Sequence, residues 1–319
     1  MQIIKPSATL MLPPSMSEED QLTRLELIGR TAYKSESKIT EGSSIDFVRK
    51  IIKSGHESVL EHMTHRMEIN IMGRDEDACL WMEEILNHTV GMQFTYMPGR
   101  YYVSFNVRTI RDAVRRLPEN PLVHEMYQMV FNSYPLIYKD IHDTNWLFYP
   151  NLDTLVSEED LLTTIPLEEA KRHIYRTVKF ICDRGVSHEL VRHRICAITQ
   201  ESTRYCNYSK MGVTFIEPPW GFTGDDKFFL ASIENKYNSK MESGQSPQQA
   251  RYWLNTGLKT ELNITMSLFQ WHHFFSLRTP TTAHPQMREV TIPLLSQFKE
   301  QLPFDFATDI IPVPLATWN

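Results

Sequence analysis

The sequence predicts an α/β fold, and three observations carry the prediction. Apolar stripes at helical spacing recur from Leu22 onward. Short alternating stretches stand between them, and glycine and proline punctuate the joins. The chain has 319 residues, 41% of them hydrophobic, enough for one elaborated domain or two. A net charge of −6 argues against a general nucleic-acid coat, because proteins that track phosphate backbones are usually basic. A local basic pocket stays open. Cys79, Cys182, Cys196 and Cys206 form no C-x-x-C pair and no metal spacing, which fits a reducing cytoplasm. The N-terminus lacks the pattern of a secretory signal, and no run approaches the roughly 18 apolar residues of a membrane helix. G-x-G-x-x-G and G-x-x-x-x-G-K are both missing.

In chain order, residues 1–15 hold Pro6, Pro13 and Pro14 and read as an extended lead-in. Ser17 before Glu18, Glu19 and Asp20 marks a capped helix that ends near Tyr33. A second helix runs from about Ser44 to Ser54, burying Phe47, Ile51 and Ile52, with Gly55 as its stop. Gly55 to His62 reads G-H-E-S-V-L-E-H. A helical zinc motif needs two His four apart; His56 and His62 are six apart, so no metal is expected. His65–Met72 alternates like a strand, with Met67, Ile69 and Ile71 on one side. Asp75–Leu86 reads as a helix with Leu80, Met82 and Ile85 as its apolar positions. After the break at Pro98-Gly99 come a strand at Tyr101–Phe105, a basic helix at Thr109–Leu117 and a helix at His124–Ile141.

Asp143–Pro166, with two prolines and weak periodicity, reads as a linker. Ile174, Val178 and Ile181 suggest a helix over Leu167–Asp183, stopped by Gly185, and Ser187 suggests the cap of the next one. Val213–Ile216 reads as a short strand and Asp225–Glu242 as a helix. Gly244 to Arg251 echoes Gly185 to Arg192 in its Gly, Ser and Arg offsets, either as a repeated helix start or by chance. Ala250–Leu277 reads as a long helix with a break near Gly257, and His284–Lys299 as the last helix. The tail from Pro303 is expected to drape over the surface.

The densest chemistry lies between Glu189 and Tyr205, E-L-V-R-H-R-I-C-A-I-T-Q-E-S-T-R-Y. Arg192, His193, Arg194, Ser202 and Arg204 suit an anion, since guanidinium forks match phosphate oxygens. The alternative is a solvated basic helix face.

Three fragments together resemble the flavin-dependent thymidylate synthases. That family's signature is R-H-R, seven residues, then Ser; here Arg192-His193-Arg194 is followed by seven residues and Ser202, continuing as Ser202-Thr203-Arg204-Tyr205. Gly55 to His62 resembles the family's flavin-contacting G-H-x-S/T-x-x-E-H element, and Phe274 to Arg278, F-F-S-L-R, its late helix. Gly244 to Arg251 is similar to a helix start carrying a nucleotide-binding Arg. The likeness covers the first 70 residues loosely and Lys179 to about Val290 well.

The resemblance implies a mixed or antiparallel sheet flanked by long helices, in a single catalytic domain spanning 1–319, with a mainly helical insertion at about 73–177. It implies methylation of dUMP to dTMP with methylenetetrahydrofolate, NADPH and FAD, and no cysteine nucleophile. Arg278 would activate the uracil as the catalytic cation, and Ser202 would orient the substrate. Glu189, Arg192, Gln200, Glu201, Thr203, Arg204 and Arg251 would join them around dUMP. His56, Ser58, Arg192, His193, Arg194, Gln200 and His273 would meet FAD, with His56 and Ser58 contributed by another subunit. A cytoplasmic homotetramer with shared sites is implied, without nucleic-acid or membrane partners.

The departures are specific. The family's Asn-x-Arg, eleven and nine residues before the late Arg, is replaced by Ser267 and Phe269. An Asn-x-Arg occurs instead at Asn106-Val107-Arg108, outside the family's order, either as a substitute or unrelated. Glu189 stands for a usual Gln and Glu201 for a usual Leu. These departures keep a second reading open: a homologue that binds nucleotide or flavin without catalysis, with the extra residues serving regulation or a partner.

Overall fold

The computed structural model describes residues 1–72, 77–141 and 153–314. In chain order the strands are β1 (Gln2–Ile4), β2 (Ser7–Met11), β3 (Thr64–Asn70), β4 (Gln93–Met97), β5 (Arg100–Asn106), β6 (Asp153–Leu155), β7 (Tyr175–Asp183), β8 (Ala197–Gln200), β9 (Thr214–Ile216) and β10 (Lys259–Ser267). The helices of the first half are α1 (Glu18–Thr31), α2 (Ser43–Lys53), α3 (Ala78–His88), α4 (Val107–Arg116), α5 (Pro121–Ser133) and α6 (Pro135–Tyr138). Those of the second half are α7 (Glu158–Thr164), α8 (Leu167–His173), α9 (Arg184–Leu190), α10 (Tyr208–Met211), α11 (Gly224–Glu242), α12 (Pro247–Ala250), α13 (Leu268–Arg278) and α14 (Pro285–Gln301). The fold is mixed α/β. Two four-stranded antiparallel sheets, ordered β2-β7-β10-β8 and β4-β5-β3-β6, stand beside a parallel pair, β1-β9.

The first sheet carries a core of Val178, Phe180, Leu262, Ile264 and Met266, covered by α13 and α14. Trp271, Phe274, Phe275 and Phe298 are fully buried on those helices and stack edge to face, each worth about 2–3 kcal/mol in apolar burial. The Trp271 indole donates to the Arg176 carbonyl at 3.0 Å, so its one polar atom is satisfied. The second sheet has a separate core, built from Met67, Ile69, Val103 and Phe105 against α1, α4 and α5.

Several sequence expectations hold. The Ser17 hydroxyl accepts from Asp20 N and caps α1. Gly55, at φ +70°, closes the C-terminus of α2, where Gly avoids the Cβ cost of the left-handed region. Others are corrected. The lead-in forms strands β1 and β2. Helix Leu167–Asp183 is only α8; from Tyr175 the chain is strand β7, with Arg176, Val178, Phe180 and Cys182 alternating into the interior. Residues 250–277 are not one helix, because β10 occupies 259–267 before α13 begins. His124–Ile141 breaks at Pro135, which opens α6. Leu80 is exposed rather than a core position of α3.

The expected linker is structured where it is described: β6 and the capped helix α7 lie within it, and 143–152 lie outside the described residues, as do 75–76 at the start of the third predicted helix. Helices α3 to α8 make up most of the described residues of the segment at about 73–177, as expected, and the segment also supplies β4, β5 and β6 to the second sheet, which the expectation left out. Phe306, Ala307 and Ile310 of the tail are buried in the first core, and 315–319 lie outside the described residues.

Candidate functional site

The signature lies in a connection. α9 is capped by Asp183, whose carboxylate accepts from Val186 N at 2.9 Å, so Ser187 is a buried residue inside the helix and not its cap. Gly185 sits in the first turn of α9, whereas Gly244 at φ +88° ends α11; the two glycines are not equivalent, and the apparent repeat is not structural. Arg192, His193 and Arg194 form the turns between α9 and β8, so the basic helix face does not exist. Ile195, the next residue, has φ +60°, a costly conformation for a β-branched side chain.

Arg278, the last residue of α13, reaches back to this turn. Its Nη1 donates to Glu189 Oε2 at 2.9 Å, its Nη2 to the Glu189 carbonyl at 3.2 Å and its Nε to His193 Nε2 at 3.0 Å. One N–H on each Nη is left for another acceptor. The carboxylate of Glu189 is thus turned toward an arginine. His193 packs against the Phe274 ring at 4.9 Å. Burial, then the charges of Arg278 and His273, push its pKa down to about 4, so it is neutral and can accept. His273 is exposed nearby.

The second half of the signature is anchored from beneath. Ser202 N donates to the Ala32 carbonyl at the end of α1, and Ser202 Oγ accepts from Arg204 N at 3.3 Å, with no general base hydrogen-bonded to it among the described residues. Arg251 Nη1 donates to Thr203 Oγ1 at 3.2 Å, bringing two predicted dUMP residues together. Gln200 Nε2 is held by Ser187 and Thr260. Glu201 is buried, accepting from Tyr208 at 2.7 Å and pairing with Lys259 at 2.9 Å; its side chain fixes the loop and faces no open space. Among the described residues, the Arg192 and Arg194 guanidiniums are exposed and have no hydrogen-bond or ion-pair partner. Unpaired forks of this kind suit phosphate or pyrophosphate oxygens.

His56 meets this surface within one chain. Its Nδ1 lies 3.1 Å from Tyr33 OH, and the Tyr33 ring packs at 5.5 Å on Tyr205. Ser58 is exposed beside it. The element's other histidine, His62, is buried and bonded to Thr265 and Thr199, so it joins the element to β10 and β8.

Sequence reasoning missed the ionic cluster under the loop. Glu261, on β10, is paired with Lys34 at 2.5 Å, Lys259 at 2.6 Å and Lys179 at 2.8 Å. Burial would raise its pKa, but the hydrogen bonds from the lysines outweigh that and bring it down to about 2. The available signal was a glutamate within the alternating, strand-like stretch T-E-L-N-I-T-M, because a carboxylate buried in a strand demands a partner. Burial pushes the Cys196 and Cys206 thiols up to about 11, away from thiolate character. Among the described residues, no group of three or more His, Cys, Asp or Glu could hold a metal ion, and no helix is long and apolar enough to cross a membrane.

The chain is also similar to known proteins. Residues 167–304 match the family described as thymidylate synthase complementing protein. A flavin-dependent thymidylate synthase from Pyrococcus furiosus is 31% identical over 128 residues, covering 38% of this chain and 52% of that protein. The Thermococcus kodakarensis flavin-dependent thymidylate synthase is 34% identical over 124 residues, 36% of this chain and 50% of the relative. One from Geobacter sulfurreducens is 27% identical over 128 residues, 39% and 55%. The chain spans about half the length of the curated relatives it matches. The chain is therefore similar, through residues 167–304, to the family described as thymidylate synthase complementing protein and, over 124–128 residues, to these flavin-dependent thymidylate synthases.

Proposed function

We propose that the protein catalyses the reductive methylation of dUMP to dTMP, with methylenetetrahydrofolate as carbon donor, NADPH as electron source and FAD as resident cofactor. The observation that carries this reading is Arg278, fixed by Glu189 and His193 with two N–H groups to spare. A cation held at one place stabilises negative charge developing on a uracil carbonyl and needs no reorganisation when that charge appears. Arg204 and Arg251 grip the dUMP phosphate, Arg251 steadied by Thr203. Gln200, Ser202 and Thr203 line the nucleotide, and Glu189 acts through Arg278. Glu201 sets the loop by its bonds to Lys259 and Tyr208.

The donor set fits a flavin dinucleotide. Arg192 and Arg194 are free forks for its pyrophosphate, with His193, His56, Ser58 and His273 around the remainder. FAD, when bound, supplies the hydride chemistry. The elevated thiols of Cys196 and Cys206 agree with a route that uses no cysteine nucleophile. A cytoplasmic homotetramer with sites shared between subunits, in a single catalytic domain, completes the proposal.

Release of tritium from 5-labelled dUMP, dependent on FAD, methylenetetrahydrofolate and NADPH, tests it. The Ser267 and Phe269 departure favours the second reading, a binding homologue without turnover. Flavin binding without tritium release would select that reading.

A further inference from the structure

Asn106-Val107-Arg108 has no part in the reading above, yet the fold gives it a position with a counterpart. β5 runs into α4 without a loop, and β10 runs into α13 in the same way. Asn106 pairs with Thr64, the first residue of β3; Ser267 pairs with Tyr175, the first residue of β7. Each then caps the helix it opens. Asn106 Oδ1 accepts from Thr109 N at 2.8 Å, and Ser267 Oγ from Gln270 N at 3.3 Å. In the second sheet Asn106 therefore holds the place that Ser267 holds in the first, and Arg108 the place of Phe269. Phe269 itself lies under the Arg172 guanidinium at 4.2 Å.

The second corner opens on a cavity of about 320 Å³ between the two sheets. Glu61, Asn106, Arg108, Tyr175, Ile195 and Cys196 line it. It thus draws on the Gly55–His62 element, on the residues directly after Arg194 and on the extra segment. Arg108 Nη1 donates to Glu61 Oε1 at 2.6 Å, its Nε faces Asp112 Oδ2, also on the cavity wall, at 3.6 Å, and the 46% exposed guanidinium keeps its Nη2 to donate. The oxygen of Asn106 is committed to the cap, which leaves its Nδ2 to donate. A planar ring with carbonyl oxygens and an imide N–H would find donors in Asn106 and Arg108 and an acceptor in Glu61. The strained Ile195 stands on the same wall.

We propose that this cavity takes the heteroaromatic ring of the flavin, with Asn106 and Arg108 supplying the contact that Ser267 and Phe269 cannot. The inference rests on the flavin-dependent reading above. It also accounts for the extra segment, because β5 and α4 bring a second strand-to-helix corner to the signature.

The test is FAD binding to the full chain, followed by quenching of flavin fluorescence. Arg108→Ala removes the fork. Asn106→Ser keeps a helix cap and removes the amide donor. Affinity should fall about tenfold or more in each, the effect of losing a hydrogen bond to a bound ligand, with unchanged far-UV dichroism and thermal midpoint. Wild-type FAD binding with undiminished affinity in Asn106→Ser and in folded Arg108→Ala overturns the inference and leaves the proposed function standing. Failure of the wild-type chain to bind FAD overturns both.

Discussion

Arg278 Nε donates to His193 Nε2 at 3.0 Å, which bonds the end of α13 to the middle of Arg192-His193-Arg194. The bond requires His193 to be unprotonated. Burial and the neighbouring charges hold its pKa near 4, so the bond persists at neutral pH and fails as pH drops through about 4. Turnover, as kcat/KM against pH, should carry an acid limb near that value. His193→Gln, whose amide oxygen accepts a hydrogen bond at any pH, should lose the limb and keep part of the activity. An unchanged limb in His193→Gln would count against this role for the bond.

Glu189 holds Arg278 with both its carboxylate and its carbonyl. Glu189→Ala frees one side of the guanidinium, and small misplacements of a reacting group are costly. Turnover should fall on the order of tenfold to a hundredfold. FAD affinity should stay as in the wild type. A variant with full turnover would show that Glu189 does not position Arg278.

Glu261 is one buried carboxylate shared by three lysines. Glu261→Gln leaves Lys34, Lys179 and Lys259 without their common partner and should cost about 3 kcal/mol in urea unfolding. Lys179→Met, on the more exposed side, should cost less than about 1 kcal/mol. Equal effects would mean that the cluster is not organised around Glu261.

Acid should destabilise the fold in a defined window. Burial lowers His62 and His65 to about 3, and His173 and His193 to about 4, from an ordinary value of 6.5. Between those limits the unfolded chain binds protons that the folded chain refuses, so stability rises with pH there. It is fully present above pH 6.5 and is lost as pH falls toward 4. Glu261 adds a further loss from 4.5 down to about 2. Urea midpoints at pH 7, 6 and 5 should fall in that order, and the slope should shrink in His173→Asn. A flat series contradicts the buried neutral histidines.

Much of the fold was legible where local chemistry is strong. The Ser17 cap, the Gly55 stop and the last helix stand as read, because capping residues and left-handed glycines act through their immediate neighbours. β7 was hidden because Ile174, Val178 and Ile181 also fit a helical stripe, although Y-R-T-V-K-F-I-C-D is rich in strand formers. β10 was hidden for another reason: Leu262, Ile264 and Met266 alternate with Glu261, Asn263, Thr265 and Ser267 as a strand should, but the chain passes straight into α13, so the two read as one long helix. At the site, motif spacing exposed Arg278 and Arg192 to Ser202. The lysines around Glu261 come from the turn after α1, from β7 and from β10, and could not be assembled without the tertiary fold.

The catalytic role of Arg278 is decided by tritium release from 5-labelled dUMP, measured with FAD, methylenetetrahydrofolate and NADPH present, for the wild-type chain and for Arg278→Ala. The wild type should release tritium, and Arg278→Ala should lose that release while still binding FAD. Release by Arg278→Ala at the wild-type rate, or none by a wild-type chain loaded with FAD, would contradict the proposed function.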